Sequence, residues 1–288
     1  MASEIHRLGA HAMATEFQIF ITATSEAKAL TAASTALRDL ETLESELSRF
    51  KGNSDIHRIN HLPKGQSTPV GHAAIDCIEL ARDIHHKTNG AFDITLGPLL
   101  AIFTNPDKSP REPSEKEIKK ATSSIGMDKL KTDVNSLTAS VNSEDLWIDL
   151  GGIGKGYALD QMALSLKESG ITNAMLDAGS STLLAFGQGP EGDGWPASLG
   201  LPNSPIINLE NNSLSGSGFS AQGEHIIDPR KHCRVCIEKI NAWAIAPYAA
   251  LSDALSTAFL VMTENEIINF CLSNTGVEAV LPDESKNI

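Results

Sequence analysis

The sequence predicts an α+β fold in which antiparallel sheet strands cluster and helices lie between them. Three observations lead there. Residues 14–24 alternate and are rich in Ile, Phe and Thr, as a strand requires. Residues 26–48 place Leu30, Ala33, Leu37, Leu40, Leu43 and Leu47 at helical spacing. The later strand-like segments have antiparallel character, which argues against a doubly wound parallel sheet.

The elements follow in order. Ser25 precedes Glu26-Ala27-Lys28 and suits an N-cap for the first helix. Residues 48–55 read as a turn, followed by a short helix through Ile59 and a loop from Pro63 to Pro69. A second amphipathic helix spans 71–88 and ends at Thr88-Asn89-Gly90, a C-cap sequence. Residues 91–112, with Pro98, Pro106 and Pro110, read as irregular. Ser114–Ser124 is a helix with a Ser-Glu-Lys-Glu start. Residues 134–150 read as a hairpin ending in Leu146-Trp147-Ile148-Asp149-Leu150. A Gly-rich turn then opens a helix from Lys155 to Ser169. Residues 173–186 form a buried strand pair, and 187–220 hold loops with short strands. The chain closes with a strand at 241–247, helices at 249–262 and 265–274, and a strand at 276–281.

The bulk numbers exclude several classes of function. At about 150 residues per domain, 288 residues make one large or two small domains. We read 1–288 as a single domain. With 36 acids against 23 bases, the net charge of −13 argues against a nucleic-acid partner, since a phosphate backbone rewards Lys and Arg clusters. An acidic chain binds a phosphate ligand through backbone N–H groups, a metal or a few placed cations. Cys233-Arg234-Val235-Cys236 is a lone CxxC without zinc-finger partners, and the strand-like run after it does not open a thioredoxin-like helix. Two cysteines on a hairpin is the plainer reading.

No apolar stretch reaches the roughly 18 residues of a membrane span. The start, Met1 to Arg7, lacks the apolar region of a signal peptide. The chain as given reads as cytoplasmic; the alternative is an exported protein whose signal segment was trimmed.

Five segments carry candidate chemistry, and each has a plainer structural reading beside it. Asp149 to Ala158 runs from an acid at a strand end through Gly151, Gly152 and Gly154 into a helix. Glycines admit close approach and a helix start favours an anion, with Lys155 adding charge; a tight strand-to-helix turn explains the same residues. Asp253 and Thr257 stand i and i+4 on one helix face, where a carboxylate and a hydroxyl suit a hard cation such as Mg²⁺; alternatively Asp253 complements the helix dipole. Glu224 to Arg230 offers His225 as a general base, oriented by Asp228 or Arg230, or else a surface turn. In Thr88 to Thr95, Phe92 can pack on a ring system or in the core. Asn173 to Ser181 is a buried strand ending in small residues.

Order and spacing decide among these. Met13-Ala14-Thr15, Leu47-Ser48-Arg49-Phe50 with Ser54 to Asn60, Gly90-Ala91-Phe92-Asp93-Ile94-Thr95, Asp149 to Ala158, Asp177-Ala178-Gly179, His225 to Arg230 and Asp253 to Ala258 stand in one sequence over nearly the whole chain. Together they resemble the FAD:protein FMN transferase (ApbE) family. The chain departs from the family pattern at Ala14 and Gly154, at Ser180-Ser181, and at Lys231-His232-Cys233.

The resemblance implies a T-fold-like α+β architecture and transfer of FMN from FAD to a Thr or Ser of an acceptor flavoprotein, with AMP released. It implies Mg²⁺ at the pyrophosphate, held by Asp253, Thr257 and the backbone carbonyl of Gly152. It implies an FAD site lined by Met13, Phe50, Ala91, Phe92, Asp93, Asp149, Lys155, Asp177 and Ile226, with His225 as the base that activates the acceptor hydroxyl. Two rival readings use the same segments: an FAD pyrophosphatase giving FMN and AMP, and a non-catalytic FAD-binding protein. A base and a metal site argue against the second, because storage needs neither.

Overall fold

The computed structural model describes residues 4–23, 25–107, 109–201, 204–218, 226–235 and 241–281. A seven-stranded sheet organises them. Its strands are β1 (Glu4–Ala12), β2 (Thr15–Ala23), β6 (Ala174–Ala178), β7 (Thr182–Phe186), β10 (Asn212–Gly218), β13 (Asn241–Ala246) and β14 (Glu278–Val280), in the spatial order β1-β2-β6-β7-β10-β13-β14. Every neighbouring pair is antiparallel.

Side-chain alternation shows why this sheet is covered on both faces. Along β13, Ala242, Ala244 and Ala246 belong to the main core, whereas Trp243 and Ile245 belong to a second cluster. The second cluster is closed by the hairpin of β8 (Trp195–Ser198) and β9 (Ile206–Leu209), through Trp195, Ala197 and Leu209. The main core lies under three helices: α1 (Glu26–Leu47), α6 (Gly154–Glu168) and α7 (Ala249–Val261). α1 turns Ala29, Ala33, Ala36, Leu37, Leu40, Leu43 and Leu47 inward, and Ser25 caps it by accepting the Lys28 N–H. Each fully buried Leu contributes about 1.5–3 kcal/mol.

The smaller elements are α2 (Asp55–Asn60), α3 (His72–Lys87), α4 (Gly97–Phe103), α5 (Glu115–Ser124), α8 (Glu264–Ser273), a three-stranded sheet of β3 (Ser67–Pro69), β4 (Leu130–Asp133) and β5 (Thr138–Val141), and the strand pair β11 (Ile227–Asp228) with β12 (Cys233–Arg234). The capping box foreseen at Ser114 is present with Glu117.

Four expectations change. β1 is an unforeseen edge strand, half-exposed along its length and so lacking a buried apolar alternation. Residues 91–112 contain α4; Pro98 sits in its first turn, where no intrahelical N–H is needed. The Pro63–Pro69 loop contains β3, and 134–150 is not one hairpin. The hairpin is β4–β5, and residues 146–150 form no strand. Instead the Asn60 side chain bonds both backbone groups of Ile148, donating to its carbonyl (2.9 Å) and accepting its N–H (2.7 Å), while Asp149 N–H donates to the Ile94 carbonyl at 2.8 Å. A side-chain amide replaces the missing strand partner. Cys233 lies exposed on β12, and Cys236 falls outside the described residues.

Candidate active site

The Gly-rich segment forms a tight turn into α6. Ile153 and Gly154 both donate N–H bonds to the Leu150 carbonyl, at 3.0 and 2.7 Å. Asp149 Oδ1 accepts the Gly151 N–H at 2.9 Å. The residue before α6 is Ile153, which has no side chain able to cap the orphan N–H groups of the first turn. One cap comes instead from α7: Asp253 Oδ2 accepts the Gly156 N–H at 3.0 Å.

The converse contact is also made. α7 starts after Tyr248, which offers it no side-chain cap and leaves its own first N–H groups bare. Asp160 of α6 takes them, with Oδ1 accepting from Ala249 (2.7 Å) and Oδ2 from Ala250 (2.8 Å). Burial pushes the Asp160 carboxyl up to about 6, against the pull of those two bonds. Asp253 therefore does not complement the dipole of its own helix; Asp160 serves that end. The two helices can approach only because residue 156 is Gly. A Cβ there would stand 2.2 Å from the Ala249 carbonyl oxygen.

Asp253 is 4% exposed, and its other oxygen faces Thr182 Oγ1 at 3.4 Å and Lys155 Nζ at 4.0 Å. One helical turn on, Thr257 Oγ1 lies 3.1 Å from Ser217 Oγ. These contacts belong to a buried file of hydroxyls between β7, β10 and α7. Ser213 donates to Ser252, Thr182 pairs with Ser215, Ser215 accepts from Ser256, and Ser217 pairs with Ser256 and Thr257. Across from Thr257 sits the Gly-rich turn: a Cβ on Gly152 would lie 3.4 Å from Thr257 Oγ1 and 3.3 Å from the Phe92 ring. Gly152, Thr257 and Phe92 thus share one place, with Asp253 beneath. A cation there meets oxygen donors, and among the described residues no group of three His, Cys, Asp or Glu side chains forms a separate metal cluster.

The 91–95 turn is tightly braced. Asp93 Oδ1 accepts both the N–H (2.7 Å) and the hydroxyl (2.6 Å) of Thr95. His85 Nδ1 sits 2.9 Å from the Phe92 carbonyl and 3.5 Å from Asp93 Oδ2. Ala91 and Phe92 are buried. On the far side of Asp149, the Arg49 guanidinium lies 3.4 Å from its Oδ2, 4.4 Å from the Phe50 ring and 5.1 Å from the Trp147 ring. Phe50 itself is 80% exposed. This brings Phe50 to Asp149 through a cation–π contact.

The Met13–Thr15 and Asp177–Gly179 segments meet at the start of β2. Met13 and Ala14 both have positive φ, as the two-residue hairpin between β1 and β2 requires. Asp177 Oδ1 accepts the Ser180 N–H at 2.6 Å, and burial raises its carboxyl. A Cβ on Gly179 would collide with Thr15 Oγ1, so the Met13–Thr15 and Asp177–Gly179 segments are pressed together. Ile226 is buried and its carbonyl accepts from Val235; among the described residues no hydrogen bond ties it to the Gly-rich turn. His225 lies outside the described residues. Asp228 and Arg230, expected to orient it or meet a phosphate, bond each other among the described residues. Arg230 bonds Glu266 (2.7 Å), Asp228 (3.4 Å) and the Val261 carbonyl (3.1 Å), which anchors the last turn of α7.

A family model described as the ApbE family matches residues 13–281. The chain belongs to the ApbE family. Its relatives include the FAD:protein FMN transferase of Klebsiella pneumoniae (strain 342), 28% identical over 279 residues that cover 91% of this chain and 79% of that protein. The Haemophilus influenzae protein of the same name is 27% identical over 256 residues, covering 82% and 73%. Among solved structures, the ApbE protein of Thermotoga maritima superposes with a TM-score of 0.81 at 27% identity, covering 96% of this chain and 94% of that one. The flavin transferase ApbE of Vibrio cholerae shares the fold, with a TM-score of 0.84 at 22% identity over 97% and 93% of the two chains.

Within this ApbE-family chain, sequence reasoning assigned no role to Asp160, Arg49, Thr182 or Ser217. Asp160 carried a legible signal, since it stands four residues after Gly156 on the same helix face. The others acquire meaning only from distant partners. No helix among the described residues is long and apolar enough to cross a membrane.

Proposed function

We propose that this chain transfers the FMN half of FAD to a Ser or Thr hydroxyl of an acceptor protein, as the names of its relatives describe for them. The acceptor oxygen forms a bond to the FMN phosphorus, the bond from that phosphorus to the bridging oxygen breaks, and AMP leaves with that oxygen. The hydroxyl proton goes to a base, a role we assign to His225. The observation that carries the reading is the meeting of the Gly152 turn, the Phe92 ring and the Asp253–Thr257 face of α7 at one place.

The donor set there fits Mg²⁺: a carboxylate, a hydroxyl and the main chain of the Gly152 turn are all hard oxygen ligands. When bound, Mg²⁺ neutralises charge that develops on the pyrophosphate oxygens. The chain's own residues do the rest. Asp253 and Thr257 present oxygen from one face of α7. Glycines at 151 and 152 leave the backbone open to a phosphate, and Lys155 adds a cation beside it. In this reading Ala91, Phe92 and Asp93 beside that turn, Phe50 and Asp149 around Arg49, and Met13, Asp177 and Ile226 make up the FAD site.

The test is to incubate the protein with FAD, Mg²⁺ and a domain bearing a Ser/Thr flavinylation motif, then read in-gel flavin fluorescence and chromatograph the nucleotides. A fluorescent acceptor band with AMP, both lost in EDTA, is expected. AMP and free FMN with no band would replace transfer by hydrolysis, and bound FAD with no product would overturn catalysis.

A further inference from the structure

We propose that Asp160 is a positioning residue of the transfer site: it sets the position of α7, and through it the direction in which Asp253 and Thr257 present their oxygens to the Gly152 turn. The inference rests on the metal reading above and concerns a residue that touches neither FAD nor the metal.

The argument starts from the helix ends. Neither α6 nor α7 has a capping side chain of its own. Each borrows one from the other: α6 receives Asp253 at Gly156, and α7 receives both oxygens of Asp160 at Ala249 and Ala250. Asp160 and Gly156 lie one turn apart on α6, so the cap and the closest approach of the two helices fall side by side. Asp253 and Ala249 are likewise one turn apart on α7. The four residues form a closed ring, in which the carboxylate that faces the cation site is also a structural bond of the ring.

That coupling has a consequence for the site. Asp253 spends Oδ2 on the Gly156 N–H, so only Oδ1 is turned toward Lys155 and Thr182. Which oxygen faces the cleft is decided by where α7 starts along α6, and Asp160 decides that. The sheet side of α7 cannot do it alone. The hydroxyl contacts of Ser252, Ser256 and Thr257 fix the helix's rotation against β10, not its distance from α6. Arg230 holds the opposite end, at Val261.

Asp160→Asn tests this on the full chain. The amide keeps one acceptor but turns an NH₂ against the second N–H donor, so α7 shifts at its first turn while both helices remain. Mn²⁺ binding followed by the EPR signal of the free ion, with Mg²⁺ as competitor, should weaken by about tenfold or more, as removal of a group that orients a metal ligand does. FAD affinity in EDTA should be unchanged, because Phe92, Asp149 and Lys155 do not lie on α7. Transfer should recover at high Mg²⁺. If Asp160→Asn does not fold, Asp160→Glu keeps both acceptors one methylene further out, and the same split between metal and FAD affinity is expected. Unaltered Mn²⁺ affinity in a folded variant would overturn the role of Asp160. So would an equal loss of FAD and metal affinity, the mark of general destabilisation. Failure of the parent protein to bind Mn²⁺ would instead overturn the metal reading itself, and the inference with it.

Discussion

Asp160 and Asp253 cap each other's helices: Asp160 on α6 accepts from Ala249 and Ala250 at the start of α7, and Asp253 on α7 accepts from Gly156 at the start of α6. In a chain carrying −13 net charge, two acids meet the bare helix starts of this junction, Asp160 through two backbone N–H groups and Asp253 through one, with Lys155 beside its other oxygen. The candidate chemistry is built on one of them.

Asp253→Ala should abolish transfer, because it removes the carboxylate that α7 presents beside Thr257 at the Gly152 turn. It should also cost about 1–3 kcal/mol of stability by orphaning the Gly156 N–H. Flavinylation assays and thermal melts on the same preparation check both; a fully active variant would refute the metal assignment.

Thr257→Val removes the hydroxyl while keeping the branched shape. The Ser217–Ser256 contact remains to satisfy its neighbours. The expected result is a raised Mg²⁺ requirement with a melting temperature close to that of the parent. A Mg²⁺ titration of the transfer rate decides it.

Gly156→Ala adds a methyl group 2.2 Å from the Ala249 carbonyl oxygen. Overpacking of this kind costs about 1–3 kcal/mol. At roughly 2–4 °C per kcal/mol for a chain of this size class, the melting temperature should fall by several degrees. An unchanged melt would mean that the helices separate freely.

The Asp160 carboxyl gives stability a pH dependence with a definite sign. Its value in the folded protein is about 6, above the 3.8 of an unperturbed Asp. The unfolded chain therefore gives up this proton first as pH rises. The contribution of Asp160 is fully present below about 4 and is lost as pH climbs through about 6. Urea melts between those values should show a falling component that Asp160→Asn removes.

His225→Ala should still bind FAD, measured by quenching of flavin fluorescence, and should fail to transfer FMN. A normal transfer rate would assign the acceptor proton to another group.

The sequence displayed the fold wherever periodicity was strong. The Leu and Ala repeat of α1, the capping box at Ser114 and the strand pair 174–186 are present with bounds shifted by a residue or so. It failed where the partner is remote. Residues 146–150 look like a strand because they are apolar and alternate, yet their hydrogen bonds go to the Asn60 side chain and to Ile94, which no local pattern encodes. The site shows the same division. Asp253 and Thr257 are visible as an i, i+4 pair, and the structure sets Thr257 Oγ1 3.4 Å from where a Cβ on Gly152 would stand. The Gly156–Ala249 approach and the Arg49 contacts with Trp147 and Asp149 depend on segments far apart in the chain, and spacing alone does not reveal them.

The file of hydroxyls between β10 and α7 acts as a ratchet. An apolar helix face is slippery: it trades one methyl contact for another at little loss, so the helix can roll. Here Ser213, Ser215 and Ser217 engage Ser252, Ser256 and Thr257 as teeth. A roll of one residue, about 100° of helix, would strand buried O–H groups against alanine, at a cost of about 1–3 kcal/mol for each one left unsatisfied. The interface gives up greasy adhesion and gains angular stiffness, which is what a helix that aims a carboxylate and a hydroxyl at one point most requires.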